Sequence, residues 1–225
     1  MKGRCGSSVP DRPATRALRP TSSEPARVGI MGGTFDPIHL GHLRIAEEAR
    51  EQLKLDRVYL VPNKAPVHRV EDPAGAEDRY AMAVLATVAH PCMVVSRAEL
   101  DRDTESYSIE TVEAFREALP HADLFFIVGA DELIDLPQWH RAQELVRLCT
   151  FAVAPRGEER AETVAALPEE WRERVVWLEM PLVPFSASDV RERLEAGRSI
   201  HYLTPEPVVQ YIEKRGLYGY GSRGC

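Results

Sequence analysis

Short apolar runs alternate along the chain with segments that carry apolar residues at helical spacing, from Val28 almost to the C-terminal end. A short apolar run predicts a strand buried on both faces, and apolar positions three and four apart predict a helix packed against it. The alternation predicts an α/β domain, a Rossmann-like doubly wound parallel sheet with C-terminal helices, whose ligands bind at the carboxyl ends of the strands. The predicted strands are residues 28–31, 57–61, 93–96, 124–128, 151–154 and 175–179, and the predicted helices are 41–53, 77–90, 109–118, 139–148, 188–196 and 207–214.

Composition and charge narrow the possible classes of protein. The chain has 225 residues, 44% of them apolar, with 28 Lys and Arg against 35 Asp and Glu, a net charge of −7. Without a basic block, a protein this acidic is not expected to coat nucleic acid or a membrane surface. No long apolar segment or secretory signal is visible, so we expect a soluble, cytoplasmic protein. Scattered cysteines without a CxxC pair fit a reducing compartment and argue against structural zinc: Cys5, Cys92, Cys149 and Cys225.

The two ends of the chain differ from its middle. Residues 1–27 are rich in Pro, Ser and Arg and nearly free of large apolar side chains, which predicts a disordered N-terminal extension without function. A transit peptide is the alternative, although the prolines would break its amphipathic helix. We therefore expect one domain over residues 28–218, followed by a short tail at 219–225.

The sequence V-G-I-M-G-G-T-F-D-P-I-H-L-G-H holds the most distinctive chemistry. A buried strand ends at Gly32 and Gly33, which allow a tight turn and close approach of a ligand to the backbone amides. The following helix start is an anion site, and His39 and His42 lie three residues apart beside it. A glycine pair or a His-x-x-His alone is more often incidental. Their coincidence at one junction favours a phosphoryl group, and the spacing is neither GxGxxG nor a P-loop.

This stretch resembles the signature of the HxGH nucleotidyltransferase superfamily, most of all that of the bacterial nicotinate-nucleotide adenylyltransferases. Pantetheine-phosphate adenylyltransferases usually carry Thr where His39 stands, and glycerol-phosphate cytidylyltransferases carry a different run before the first histidine. Further segments are similar to the family in the same order: V-P-N-K-A-P-V-H-R, S-Y-S-I-E-T-V, F-F-I-V-G-A-D-E-L-I-D-L-P-Q-W-H and F-S-A-S-D-V-R. Val67 departs from the family's second proline, and Ser188 stands where Thr is usual. The C-terminal L-T-P-E-P-V-V-Q-Y-I-E-K-R-G-L-Y also matches, as a structural segment.

The resemblance implies a set of site residues. It assigns catalysis to His39, His42 and Arg191. It assigns ATP binding to those three and to Gly32, Gly33, Thr34, Phe35, His68, Arg69, Gly129, Asp131, Ser186 and Ser188. It assigns the mononucleotide to Ser108, Trp139, His140 and Arg156, with Trp139 stacking on the pyridine ring, although a Trp met alone is more often a packing residue. By their positions, Ser108, Ser186 and Ser188 are also expected to cap helices.

The implied reaction transfers AMP from ATP to nicotinate mononucleotide, giving nicotinate adenine dinucleotide and pyrophosphate in NAD biosynthesis. Mg²⁺ is expected to arrive with ATP, without a dedicated protein metal site. Two alternatives remain: the same fold acting on nicotinamide mononucleotide or another phosphorylated acceptor, and a nucleotide-binding regulator without the chemistry. The sequence leaves the oligomeric state open, a homodimer included.

Overall fold

The sheet has six strands, all parallel, in the order β3-β2-β1-β4-β5-β6. A computed structural model describes residues 25–64, 74–104, 106–155 and 160–220. This strand order is that of a doubly wound α/β domain, so the predicted fold class is confirmed. The strands are β1 Arg27–Gly33, β2 Arg57–Pro62, β3 Met93–Val95, β4 Asp123–Gly129, β5 Thr150–Ala154 and β6 Val175–Trp177.

Eight α-helices connect and cover the strands over the described ranges. They are α1 Leu40–Gln52, α2 Ala76–Thr87, α3 Ser108–Ala118, α4 Ala130–Leu133, α5 Ala142–Leu148, α6 Arg160–Ala166, α7 Ala187–Glu195 and α8 Glu206–Arg215, with 3₁₀ turns at Leu136–Gln138, Glu169–Arg174 and Leu217–Gly219. None of the helices described is long and apolar enough to cross a membrane. Cys92 and Cys149 are free thiols, whereas Cys5 and Cys225 lie outside the described residues.

Two predicted helices differ from the observed ones. The predicted helix 139–148 begins only at Ala142, because Arg141 has a left-handed backbone (φ 52°) and Trp139 is extended after a 3₁₀ turn. The predicted helix 77–90 ends at Thr87, before the residues that precede Pro91, where helical backbone is disfavoured. The short helices α4 and α6 were not predicted, because neither is long enough to show a periodic pattern.

Alternating side chains of the strands build a separate core on each face of the sheet. On β1, Val28 and Ile30 pack on one face with α3 and α5, whereas Met31 packs on the other with α1, α7 and α8. The same alternation puts Phe126 and Ile127 of β4 into opposite cores. Both faces are covered, which explains why the strands read as continuous apolar runs.

The carboxyl ends of β1 and β4 form the switch point of this fold. These strands are neighbours at the centre of the sheet, and the chain leaves them toward opposite faces. A crevice opens at such a point, and it is where doubly wound folds bind ligands. Here the two strands end in Gly33 and Gly129, so no side chain of these two residues fills the crevice.

Substitution of Phe115 measures how much the core beneath this crevice contributes to the free energy of unfolding. Its ring is 1% exposed and lies edge-on to Tyr59 at 4.9 Å between centroids. We expect Phe115→Ala to lower the free energy of unfolding by about 3–5 kcal/mol, through lost burial and a residual cavity, in urea unfolding. Val88→Ala is the control: its side chain is 75% exposed, so a change within about 0.5 kcal/mol is expected. Equal losses in both variants would contradict this account of the core.

Candidate active site

Two adjoining cavities open at the carboxyl ends of β1 and β4. The larger has a volume of about 750 Å³ and the smaller about 200 Å³. They share a common wall, made of Gly32, Gly33, Thr34, Val128 and Glu132. A reacting group held at this wall would be within reach of ligands in both cavities.

The turn after β1 brings backbone and aromatic groups to the smaller cavity. A Cβ added to Gly33 would lie 3.0 Å from the ring of Phe35, so a larger residue there would press on that ring. Phe35 itself has a left-handed backbone, φ 51°, and its ring is 2% exposed. That ring meets His42 edge-on, with centroids 5.1 Å apart. Besides lining the cavity, Phe35 therefore supports the position of His42.

His39 and His42 close the first turn of α1 by hydrogen bonds to the backbone. Nδ1 of His39 accepts a hydrogen bond from the amide of Gly41 at 3.1 Å, and Nδ1 of His42 accepts one from the amide of His39 at 3.2 Å. The two rings stack at 3.7 Å, and both line the smaller cavity. Because Nδ1 is the acceptor in each ring, a neutral ring must carry its hydrogen on Nε2. The pair therefore offers two Nε2–H donors at the helix start.

Gly41 gives His39 the space that this arrangement needs. A Cβ at position 41 would lie 2.8 Å from two atoms of the His39 ring and 3.1 Å from Val183. Such distances are too short for a carbon atom without a shift of the ring. The glycine between the histidines thus has a steric reason that the sequence alone did not show.

The start of α7 forms the opposite wall of the smaller cavity. Ser186 caps the helix, with Oγ accepting from the amide of Asp189 at 3.3 Å, while the Asp189 carboxylate accepts from the Ser186 hydroxyl and amide at 2.6 Å each. Hydrogen bonds from Ser186 lower the pKa of Asp189. Ser188 does not cap the helix, contrary to expectation, because it lies inside the first turn. Both serines line the cavity.

Arg191 reaches from α7 toward the turn after β1. Its Nη1 donates to the carbonyl oxygen of Asp36 at 2.6 Å, and its Nη2 donates to Oγ of Ser188 at 3.1 Å. It does not belong to the lining of either cavity. The structure thus brings Arg191 beside the predicted phosphate site, where its visible bonds join two walls of the smaller cavity.

The larger cavity has aromatic walls. Trp139 packs edge-on to Phe126 at 6.2 Å, and Tyr107 stacks on His140 at 4.3 Å. All four residues line the cavity, as does Ser108. Trp139 and His140, which the resemblance assigns to the mononucleotide, thus line the same cavity as Ser108.

The expectation that Ser108 caps α3 is wrong by one residue. Tyr107 is extended (φ −84°, ψ 131°), and its carbonyl oxygen accepts from the amides of Glu110 and Thr111, so Tyr107 is the cap. Ser108 is the first helical residue, where the backbone N–H has no partner within the helix.

Buried and acidic groups of the larger cavity escaped the sequence analysis. Glu99 is 5% exposed, accepts a 2.6 Å hydrogen bond from Thr111, and has its pKa raised by burial. Glu132 lines both cavities and accepts from the amide of Gly129 at 3.2 Å. Asp135 also lines the larger cavity. Glu99 comes from the connection after β3, whereas Glu132 and Asp135 come from the connection after β4, and no sequence motif marks any of the three.

Arg79 supports the shared wall from behind. It is completely buried and donates to the carbonyl oxygen of Thr34 at 2.8 Å and to Oδ1 of Asn63 at 3.0 Å. Asn63 in turn donates to Oγ1 of Thr34 at 3.2 Å. The sequence does not show that Arg79 is buried, because most arginines in helices lie at the surface and burial depends on the fold.

The remaining predicted site residues divide into two groups. Gly129 lines the smaller cavity, whereas Asp131 is exposed at the start of α4 and lines neither cavity. His68, Arg69 and Arg156 lie outside the described residues.

Comparison with known proteins identifies the family. The model of the family described as cytidylyltransferase-like matches residues 30–193. A protein of Acidothermus cellulolyticus named "Probable nicotinate-nucleotide adenylyltransferase" is 45% identical over 86% of this chain and 94% of its own length. One of the same name from Moorella thermoacetica is 44% identical over 87% and 93%. The chain belongs to this adenylyltransferase family. The resemblance of the glycine-histidine stretch to the family is thereby confirmed.

A solved structure agrees on the fold of this family member. The Plasmodium falciparum nicotinic acid mononucleotide adenylyltransferase complexed with NaAD superposes with a TM-score of 0.73 at 17% identity, covering 88% of this chain and all of that one. At this identity the similarity concerns the fold. The adenylyltransferase family fold is therefore shared across distant sequences.

The tautomers of His39 and His42 can be predicted and measured without a substrate. At a pH high enough for both rings to be neutral, we expect His39 and His42 to be Nε2–H tautomers, because each Nδ1 accepts from a backbone amide. Imidazole ¹⁵N chemical shifts measure this directly. His121 lies outside both cavities, is exposed, and serves as the reference. An Nδ1–H tautomer at either of the two positions would contradict the proposed bonding.

Proposed function

We propose that this chain transfers AMP from ATP to nicotinate mononucleotide, giving nicotinate adenine dinucleotide and pyrophosphate. The observation that carries the proposal is the pair of cavities with one shared wall, at the switch point of a nucleotidyltransferase fold. Two substrates that react with each other need separate subsites and a common reaction point, and this geometry supplies both. Family membership supports the same reaction.

The smaller cavity suits the phosphates of ATP. Its walls present hydrogen-bond donors from glycine amides, imidazole rings, the Ser188 hydroxyl and the starts of two helices. In the proposal, His42 and the backbone of residues 32–35 hold the α-phosphate, and His39 orients the triphosphate. Ser186, Ser188 and Arg191 hold the departing pyrophosphate, Gly129 and Asp131 face the ribose, and His68 and Arg69 bind the phosphate tail.

The larger cavity suits nicotinate mononucleotide. The pyridine ring of this mononucleotide carries a positive charge. That charge fits the aromatic face of Trp139 and the nearby carboxylates of Glu132 and Asp135. Arg and Lys are missing from the described lining of this cavity. Recognition of the nicotinate carboxylate therefore falls to backbone N–H groups beside Ser108 and at His140, with Arg156 as a further candidate.

The reaction itself needs little covalent help from the protein. An oxygen of the mononucleotide's 5′-phosphate forms a bond to the α-phosphorus of ATP, and the bond from that phosphorus to the oxygen bridging to the β-phosphate breaks. The electron pair of this bond leaves with pyrophosphate. The attacking phosphate is already ionised, so no protein base is required. Catalysis then rests on in-line alignment and on donors that stabilise charge at the α-phosphate.

Mg²⁺ enters the proposal as part of the ATP substrate. Over the described ranges, no group of three or more His, Cys, Asp or Glu residues could hold a metal ion. The smaller cavity instead offers mainly donors, which fit phosphate oxygens, so phosphate and water would hold Mg²⁺. Bound to the phosphates, the ion would neutralise part of their negative charge. A cytoplasmic location belongs to the same proposal, supported by cysteines without a CxxC pair.

A pyrophosphate-release assay with ATP and each mononucleotide tests the substrate assignment. We expect kcat/KM for nicotinate mononucleotide to exceed that for the amide by at least about tenfold, because the amide lacks the negative charge that the N–H groups bind. Equal values would overturn the roles of Ser108 and His140. Tight ATP binding without release of pyrophosphate from any mononucleotide would instead favour the regulator.

Removing one imidazole donor tests the catalytic assignment. We expect His42→Ala to lower kcat by about 10²–10³ with the fold retained, because a donor to the charge of the transition state is lost. His121→Ala is the matched control, since His121 is exposed and outside both cavities. Circular dichroism monitors the fold. Near-normal turnover of His42→Ala would remove His42 from the mechanism.

A further inference from the structure

We propose that the C-terminal segment, residues 203–218, positions the catalytic histidines by clamping residues 36–40. This inference rests on the proposed function, because it gives that segment a role in the same site. Its apolar residues Val208, Val209 and Ile212 are buried in the core, which explains the packing of α8. Packing alone does not explain why two buried hydroxyl groups of this segment are bonded to the strand-to-helix connection.

The first half of the clamp acts on the residues beside His39. The carbonyl oxygen of Leu203 accepts from the amide of Leu40 at 2.8 Å. The hydroxyl of Thr204 donates to the carbonyl oxygen of Ile38 at 2.7 Å, and Thr204 is 2% exposed. The residues immediately before and after His39 are thus bonded to adjacent residues of the C-terminal segment.

The second half acts on Asp36. The hydroxyl of Tyr218 donates to Oδ1 of Asp36 at 2.6 Å, with Asp36 only 1% and Tyr218 only 8% exposed. Burial, and after it the negative charge of Asp36, raise the pKa of Tyr218, so it remains a donor. A buried carboxylate is costly without such donors. The backbone carbonyl of the same Asp36 accepts from Arg191.

Backbone conformation gives a reason why these residues need a clamp. Phe35 lies next to Asp36 and has φ 51°, and Tyr218 has φ 57°. Bulky residues rarely adopt this region, and they stay there only where the surroundings hold them. The Asp36–Tyr218 bond lies beside one such residue and includes the other.

A small shift of residues 36–40 would reach both imidazoles. The His39 ring caps α1, and the His39 amide is the donor to Nδ1 of His42. Moving the His39 backbone therefore moves the donor that orients the second ring. Since such donors act most strongly on the transition state, misplacement should lower kcat more than it raises KM.

Two pairs of variants test the clamp in the full chain. Tyr218→Phe and Thr204→Val each remove one hydroxyl and keep the shape of the side chain. Thr204→Ser keeps the hydroxyl, and Tyr220→Phe removes an exposed hydroxyl that donates to Glu213 at 2.7 Å. We expect kcat, per folded protein, to fall about tenfold in the first two variants, with KM for ATP and nicotinate mononucleotide little changed. Thr204→Ser and Tyr220→Phe should keep the wild-type kcat.

Three results would overturn the clamp. One is a wild-type kcat in folded Tyr218→Phe and Thr204→Val. Another is a fall in kcat that Thr204→Ser fails to rescue. The third is unfolding of both hydroxyl-deletion variants at the assay temperature, which would make the segment purely structural.

A spectroscopic readout separates the clamp from the proposed function. We expect the imidazole ¹⁵N shifts of His39 and His42 to change in Tyr218→Phe and to stay unchanged in Tyr220→Phe. Where the wild type releases no pyrophosphate with any mononucleotide, the proposed function fails, and these shifts alone decide on the clamp. Unchanged shifts in Tyr218→Phe would then overturn it.

Discussion

The reciprocal hydrogen bonds of His39 and His42 at the start of α1 are the constraint on which the site depends. A capping box commonly has an acidic or amide side chain at its third helical position, where a carboxylate would cancel part of the helix's positive end. Here a neutral imidazole fills that place, and the first turn of α1 holds no acidic residue. The helix start is therefore capped without a negative charge being added to its first turn. The same bonds leave Nε2–H as the remaining donor of each neutral ring.

The two helix starts at the smaller cavity are consequently unequal. At α7 the third position is Asp189, whose carboxylate accepts from Ser186 and places a negative charge near the cavity. At α1 the third position is a histidine and the first turn carries no acidic side chain, although the Asp36 carboxylate lines the same cavity. This difference supports assigning the reacting phosphate to α1 and the departing one to α7. The overall charge of −7 has no part in this choice, because binding depends on groups within a few ångströms.

The sequence was sufficient for the sheet and for the groups that lie close together along the chain. All six strands were predicted within a few residues, because buried parallel strands are continuous apolar runs, and the His39–His42 pair is visible from spacing alone. Arg79, Glu99 and Glu132 were missed, since their position depends on how separate connections meet around the crevice. The cap at Tyr107 was missed by one residue, because the choice between neighbouring residues depends on backbone angles that spacing does not determine.

Two of the five residues in the shared wall of the two cavities are glycines, Gly32 and Gly33. Because these two residues have no side chains, no side-chain contact of their own can fix their position. Their turn is instead held from behind by buried polar groups, with Arg79 bonded to the carbonyl of Thr34 and Tyr218 bonded to Asp36. These bonds cross 45 and 182 positions of sequence. Because each fixes one end of a short turn, a loss at either displaces donors rather than deleting them. Residues that touch neither substrate can thus contribute to turnover through the position of those that do.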